Sequence, residues 1–139
     1  MTTDDRVVVG LFYPTAFNPD IDDHIARLEA VDPRIEVVVE PYQESSELRT
    51  GRGVPPFEHL RAEAPALTDA QRAAFARVEC CIALDLPFGM DELAPNLRWV
   101  QGVGAGVAQF TSTGIVGGDV VITNASGVTS IAIAEFVMA

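Results

Sequence analysis

Five short apolar or β-branched runs, separated by stretches with helical spacing or turn residues, constrain this chain more than any other feature. They are "RVVVGLFY" (6–13), "IEVVVEPY" (35–42), "ECCIALDL" (79–86), "LRWVQ" (97–101) and "VVITN" (120–124). Strands that alternate with helical segments imply parallel pairing, and near-continuous apolar strands imply cover on both sides. The expected fold is therefore α/β, a doubly wound parallel five-stranded sheet with helices on both faces. In the first connection Asn18 is placed as a cap and Pro19 as the first helical residue, ahead of Ile21, Ile25 and Leu28 at helical spacing. Thr68 and Gln71 form a capping box for "DAQRAAFARV". Shorter helical stretches are expected around Asp91 to Ala94 and Gly106 to Thr111, and a further helix over "SIAIAEFVMA" (130–139). The polar, Gly- and Pro-containing segment from Gln43 to Pro56 reads as a long loop, mobile or facing a substrate. With 139 residues, this is one domain with enough chain to bury a core.

Charge is unevenly placed. The net charge is −11, which disfavours nucleic acid and anionic membranes as partners. All nine basic residues are arginine, and eight precede residue 80; from Trp99 to Ala139 only Asp119 and Glu135 are charged. An uncharged last third is expected to be covered, within this domain or against another body. The start "MTTDDRVVVG" has no basic region ahead of its apolar run, and no run of about eighteen apolar residues occurs, so neither a signal peptide nor a membrane span is predicted and a cytoplasmic location is expected. Cys80 and Cys81 are adjacent in a strand, a spacing that suits buried thiols rather than a disulfide or a zinc site.

The fourth run leads into "QGVGAGVAQF", with Gly102, Gly104 and Gly106. A dinucleotide fingerprint would need glycine three residues after Gly104 and a carboxylate at the end of the next strand. Val107 and Asn124 stand at those places, so the pyrophosphate reading fails. Ligands of open parallel sheets sit beyond the carboxyl ends of the strands, and a turn of small residues there exposes amide groups to a carboxylate or phosphate. No nucleophile elbow, P-loop lysine or metal-ligand spacing accompanies the turn, so it can hold an anion without carrying a group for chemistry.

"NLRWVQGVGAGVAQF" followed by "VVITNASGVTSIAIAEFVMA" resembles the substrate-binding half of the D-isomer specific 2-hydroxyacid dehydrogenases. The likeness spans residues 95 to 139 and is weaker before that. It implies a flavodoxin-like domain whose turn, here Gly104, Ala105 and Gly106, presents amides to the carboxylate of a small 2-oxo or 2-hydroxy acid. It implies NAD or NADP as cofactor, held by a nucleotide-binding domain expected after Ala139 and absent from this chain, with Ala105 and Thr129 nearest the nicotinamide. No catalytic residue is expected in this chain, because the family's Arg, Glu and His lie in that other domain, and the piece alone is expected to be inactive and to self-associate. This chain departs from the family at Ala108, where Asp is usual, at Phe136, where His is common, and at Thr129, where Asn is frequent. The other reading is a free-standing flavodoxin-like module that binds an anion or a partner without catalysis.

Among single residues, His24 reads as a solvated histidine, His59 as a distant substrate candidate, Glu135 as a partner for a helix end, and Trp99 as core. Tyr13 ends the first strand on the ligand rim and is either a wall of the substrate pocket or packing.

Overall fold

Each apolar run forms a strand, trimmed at its ends by the adjoining turns. The structure, a computed structural model, describes residues 6–139. The strands are β1 (Val7–Leu11), β2 (Ile35–Val39), β3 (Cys80–Ala83), β4 (Trp99–Gly102) and β5 (Val121–Thr123). All pair in parallel in the order β2-β1-β3-β4-β5. This is the flavodoxin-like order, in which the direction of winding reverses between β1 and β3.

The helices are α1 (Ile21–Glu29), α2 (Ser46–Gly51), α3 (Asp69–Arg77), α4 (Met90–Leu93) and α5 (Ser130–Met138). Side chains alternate across a strand, so β1 splits its apolar residues between two layers. Val8 and Phe12 face α3, where Phe12 and Phe75 meet edge to face with ring centroids 4.6 Å apart. Val78, Cys81, Ala83, Met90 and Val100 complete this layer, all buried. Each large side chain withdrawn from water here contributes about 1.5 to 3 kcal/mol. Gly10 lies between them because a Cβ at that position would overlap the Phe12 ring. Leu11 faces the other way, toward α1.

The capping box of α3 forms as its sequence implies: Thr68 Oγ1 accepts from Gln71 N at 3.1 Å, and Gln71 Oε1 accepts from Thr68 N at 3.0 Å. The start of α1 differs from expectation. Asp20 is its N-cap, without a side-chain cap bond, and Asn18 turns instead to Tyr13 and His24. The 43–56 segment also differs. Ser45 caps α2 by accepting from Leu48 N, and the burial of Leu48 together with Arg52, one helical turn apart, roots the segment in the core.

Trp99 is not core. It is 44% exposed on the α1 side of the sheet, and its indole N–H donates to Thr123 Oγ1 at 2.8 Å. Val103 and Val121 are also exposed. The uncharged last third divides in two. Phe110, Thr113 and Ile115 are buried, whereas α5 buries none of its residues and Phe136 is 85% exposed. Among the described residues no helix is long and apolar enough to cross a membrane.

Candidate functional site at the carboxyl rim of the sheet

In the turn after β4 the Gly104 and Ala105 carbonyls are occupied and the Ala105 and Gly106 amides are open. Val103 N donates to Ala83 O at 3.0 Å, which ties the start of the turn to the end of β3. Gly104 O accepts from Ala125 N at 3.0 Å, and Ala105 O accepts from the Asn124 side-chain amide at 2.9 Å. The other end of Asn124 accepts from Ser126 N at 3.1 Å, so one side chain fixes two turns. The N–H groups of Ala105 and Gly106 meet no acceptor among the described residues. Paired amides left free on a rigid turn are a site for an anion.

Gly104 and Gly106 are not required by the fold. A Cβ on either meets nothing within 4 Å, and neither has the left-handed φ that favours glycine. Gly114 is a contrasting case, with φ of 92° and a Cβ position that would overlap the Asp91 carboxylate. Open glycines on a rim let a ligand approach the backbone.

The turn does not fit a pyrophosphate. It leads into a three-residue 3-10 turn, Ala108–Phe110, so no helix N-terminus faces it. Asn124, at the end of β5, uses its side chain on the turn itself. The turn therefore offers open backbone amides and no helix N-terminus.

Beside the turn lies a buried ionic network that sequence reasoning missed. Asp85, wholly buried just after β3, takes a bidentate pair from Arg49, with Nε to Oδ1 at 2.5 Å and Nη2 to Oδ2 at 2.6 Å. It also accepts from Glu44 N at 2.9 Å. Arg52, 0% exposed, donates to Glu44 Oε1, to Leu86 O at 2.8 Å and to Ser112 Oγ at 2.6 Å, and its guanidinium lies 4.0 Å from the centre of the Phe88 ring. Tyr42 donates to the same Glu44 oxygen at 2.7 Å. Burial raises the Glu44 carboxyl above its ordinary value, against the opposing pull of the Tyr42 hydroxyl and Arg52. The carboxylate of Asp85 raises the Arg49 guanidinium further, so it stays cationic. Gln109, from the 3-10 turn that follows, donates Nε2 to Leu84 O at 3.1 Å, beside Asp85, which joins this network to the turn.

The remaining expected site residues are dispersed. Tyr13 is half-buried beyond β1, on the wall of a cavity against α1, and nothing brings it to the Gly104–Gly106 turn. Thr129 is the N-cap residue of α5 without a side-chain cap bond, and is exposed. His59 and Glu135 are exposed, the first on a 3-10 turn and the second on α5. His24 is exposed but hydrogen-bonded to Asn18. Cys80 and Cys81 are free thiols whose burial raises both above the ordinary thiol range. No family model, curated protein or solved structure matches the chain.

Proposed function

We propose that this chain is the substrate-binding part of an oxidoreductase of the D-isomer specific 2-hydroxyacid dehydrogenase kind, which moves a hydride between NAD(P) and a small 2-hydroxy or 2-oxo acid. The 103–107 turn carries the reading, because its Gly104 and Ala105 carbonyls are tied down, its Ala105 and Gly106 amides are open, and a Cβ on Gly104 or Gly106 meets nothing. Its role is to bind and orient the substrate carboxylate. The turn bears no titratable side chain, so in this reading the hydride donor and the acid–base groups belong to a nucleotide-binding domain, with Ala105 and Thr129 facing the nicotinamide.

The exposed apolar surface of α5 supports a second body packed there. Without that body the chain is expected to self-associate. Light scattering at rising concentration checks this, and a monomer throughout the range removes the support.

The purified 139-residue chain is expected to oxidise neither NADH nor NADPH with glyoxylate, hydroxypyruvate or pyruvate, and detectable turnover contradicts the proposal. Intact-mass analysis of the protein captured from its source cells is expected to give a product about twice 14.9 kDa. A product of about 14.9 kDa favours the free-standing binding module instead.

A further inference from the structure

A cavity of about 380 Å³ opens on the α1 face of the sheet, between β1 and β3, where the winding reverses. In doubly wound folds this crevice is where ligands are held. Its walls are apolar: Leu11 and Ile82 from the strands, Leu28 and Val31 from α1 and the turn after it. Its polar groups are Tyr13, His24 and Arg27, and their hydrogen bonding is one-sided.

Asn18 Nδ2 donates to the Tyr13 hydroxyl at 3.2 Å and contacts His24 Nδ1 at 2.5 Å. The Asn18 amide thus occupies the Nδ1 edge of the ring and leaves the Nε2 edge to the cavity's other groups. The Tyr13 oxygen is used as an acceptor, which leaves its own proton to give. The Tyr13 O–H, the His24 Nε2 edge and the Arg27 guanidinium meet no partner of their own among the described residues. The cavity is therefore rich in donors, includes one permanent cation, and is otherwise hydrocarbon.

We propose that this cavity binds an aliphatic monocarboxylate, with its chain against Leu11, Leu28, Val31 and Ile82 and its carboxylate taken by Arg27, His24 and Tyr13. Polar groups that line one otherwise apolar cavity beside a guanidinium match a carboxylate, which only accepts when ionised. A multiply charged anion fits less well, because the protein carries a net charge of −11 and Asp20, Asp22 and Asp23 lie on or beside the same helix. The hydrocarbon chain must then supply most of the affinity. The site lies on the far side of β3 from the Gly104–Gly106 turn and does not depend on the dehydrogenase reading.

Titration of the 139-residue chain with butanoate, hexanoate and octanoate, followed by methyl NMR, tests this. Saturable shifts are expected at the Leu11, Leu28, Val31 and Ile82 methyls, with affinity rising roughly fourfold for each added methylene. Octan-1-ol, which has no carboxylate, is expected to bind several-fold more weakly than octanoate. Arg27→Gln, at an exposed position, is expected to weaken octanoate roughly two- to fivefold while leaving octan-1-ol unchanged. The proposal is overturned by equal binding of the acid and the alcohol, by shifts confined to Val121 and the α5 methyls of Ile131 and Ile133, or by no saturable shift at millimolar octanoate.

Discussion

Arg52→Ala is expected to lower the melting temperature by about 10 to 20 °C. The substitution leaves the buried Glu44 carboxyl without its cation and strips Leu86 O and Ser112 of their donor. Breaking a buried pair from one side costs about 3 to 5 kcal/mol, a large share of the total for a domain stable by about 5 to 15 kcal/mol. Removing both charges with Arg52→Met and Glu44→Leu is expected to recover much of the loss, because no ion is then left buried.

The deficit of Arg52→Ala should also depend on pH. Burial already raises the Glu44 carboxyl above its ordinary value of 4.5, so the native state holds that proton to higher pH than the unfolded chain does. Stability from this group is full below the unfolded value and is lost as pH rises through the folded one. Loss of Arg52 removes one of the opposing pulls and raises the folded value further. The deficit is therefore smallest in acid and grows toward neutral pH, which thermal melts across the pH range will show. A loss under about 3 °C at pH 7 contradicts the assigned burial.

The second large effect concerns binding rather than stability. Ala105→Pro removes one amide from the turn, and the residue before it is glycine, which tolerates the restriction proline imposes. A hydrogen bond to a charged acceptor contributes about 1.5 to 3 kcal/mol, so affinity for a 2-oxo acid such as pyruvate is expected to fall roughly 10- to 150-fold. Gly106→Val, whose Cβ meets only open space, is expected to weaken binding by closing the approach to the backbone and to change stability by less than about 0.5 kcal/mol. Gly10→Ala is the control with the opposite pattern. Its Cβ would meet the Phe12 ring, so it should cost about 1 to 3 kcal/mol in stability and leave the turn's affinity intact. Calorimetric titration beside thermal melts separates the two kinds of glycine.

The layering of this fold is legible in the sequence because parallel strands announce themselves as apolar runs and α3 carries its cap in two residues, Thr68 and Gln71. The five strands lie within or at the edge of the runs that predict them. α2 escapes the same reading because Leu48 is its one buried residue, too little for a periodic signal. The cap of α1 falls on Asp20 because Asn18 has better partners in Tyr13 and His24, which local rules do not see. Trp99 follows composition badly for another reason: its indole is satisfied by Thr123 across the strand pair on a face that this chain leaves partly open.

At the rim, the turn's place after β4 follows from the strand-end rule, whereas its supports do not. Asn124 looks like a failed ribose carboxylate in the sequence and is in fact the clamp on Ala105 O. Glu44, Arg49, Arg52, Asp85 and Ser112 are scattered along the chain and meet only through the sheet order. The one available hint is the spacing of Leu48 and Arg52, which puts an arginine on the buried face of a short helix. Tyr13 shows the limit of the rule: it follows a strand end on the same rim, yet it lines the cavity against α1 and not the Gly104–Gly106 turn.

The most direct test of the central claim is an amide NMR titration of the chain with pyruvate and glyoxylate. Saturable shifts that centre on the Ala105 and Gly106 amides, and are lost in Ala105→Pro, are the predicted result. Amides at that turn that stay unmoved while either acid saturates a site elsewhere, or binds nowhere up to tens of millimolar, contradict it.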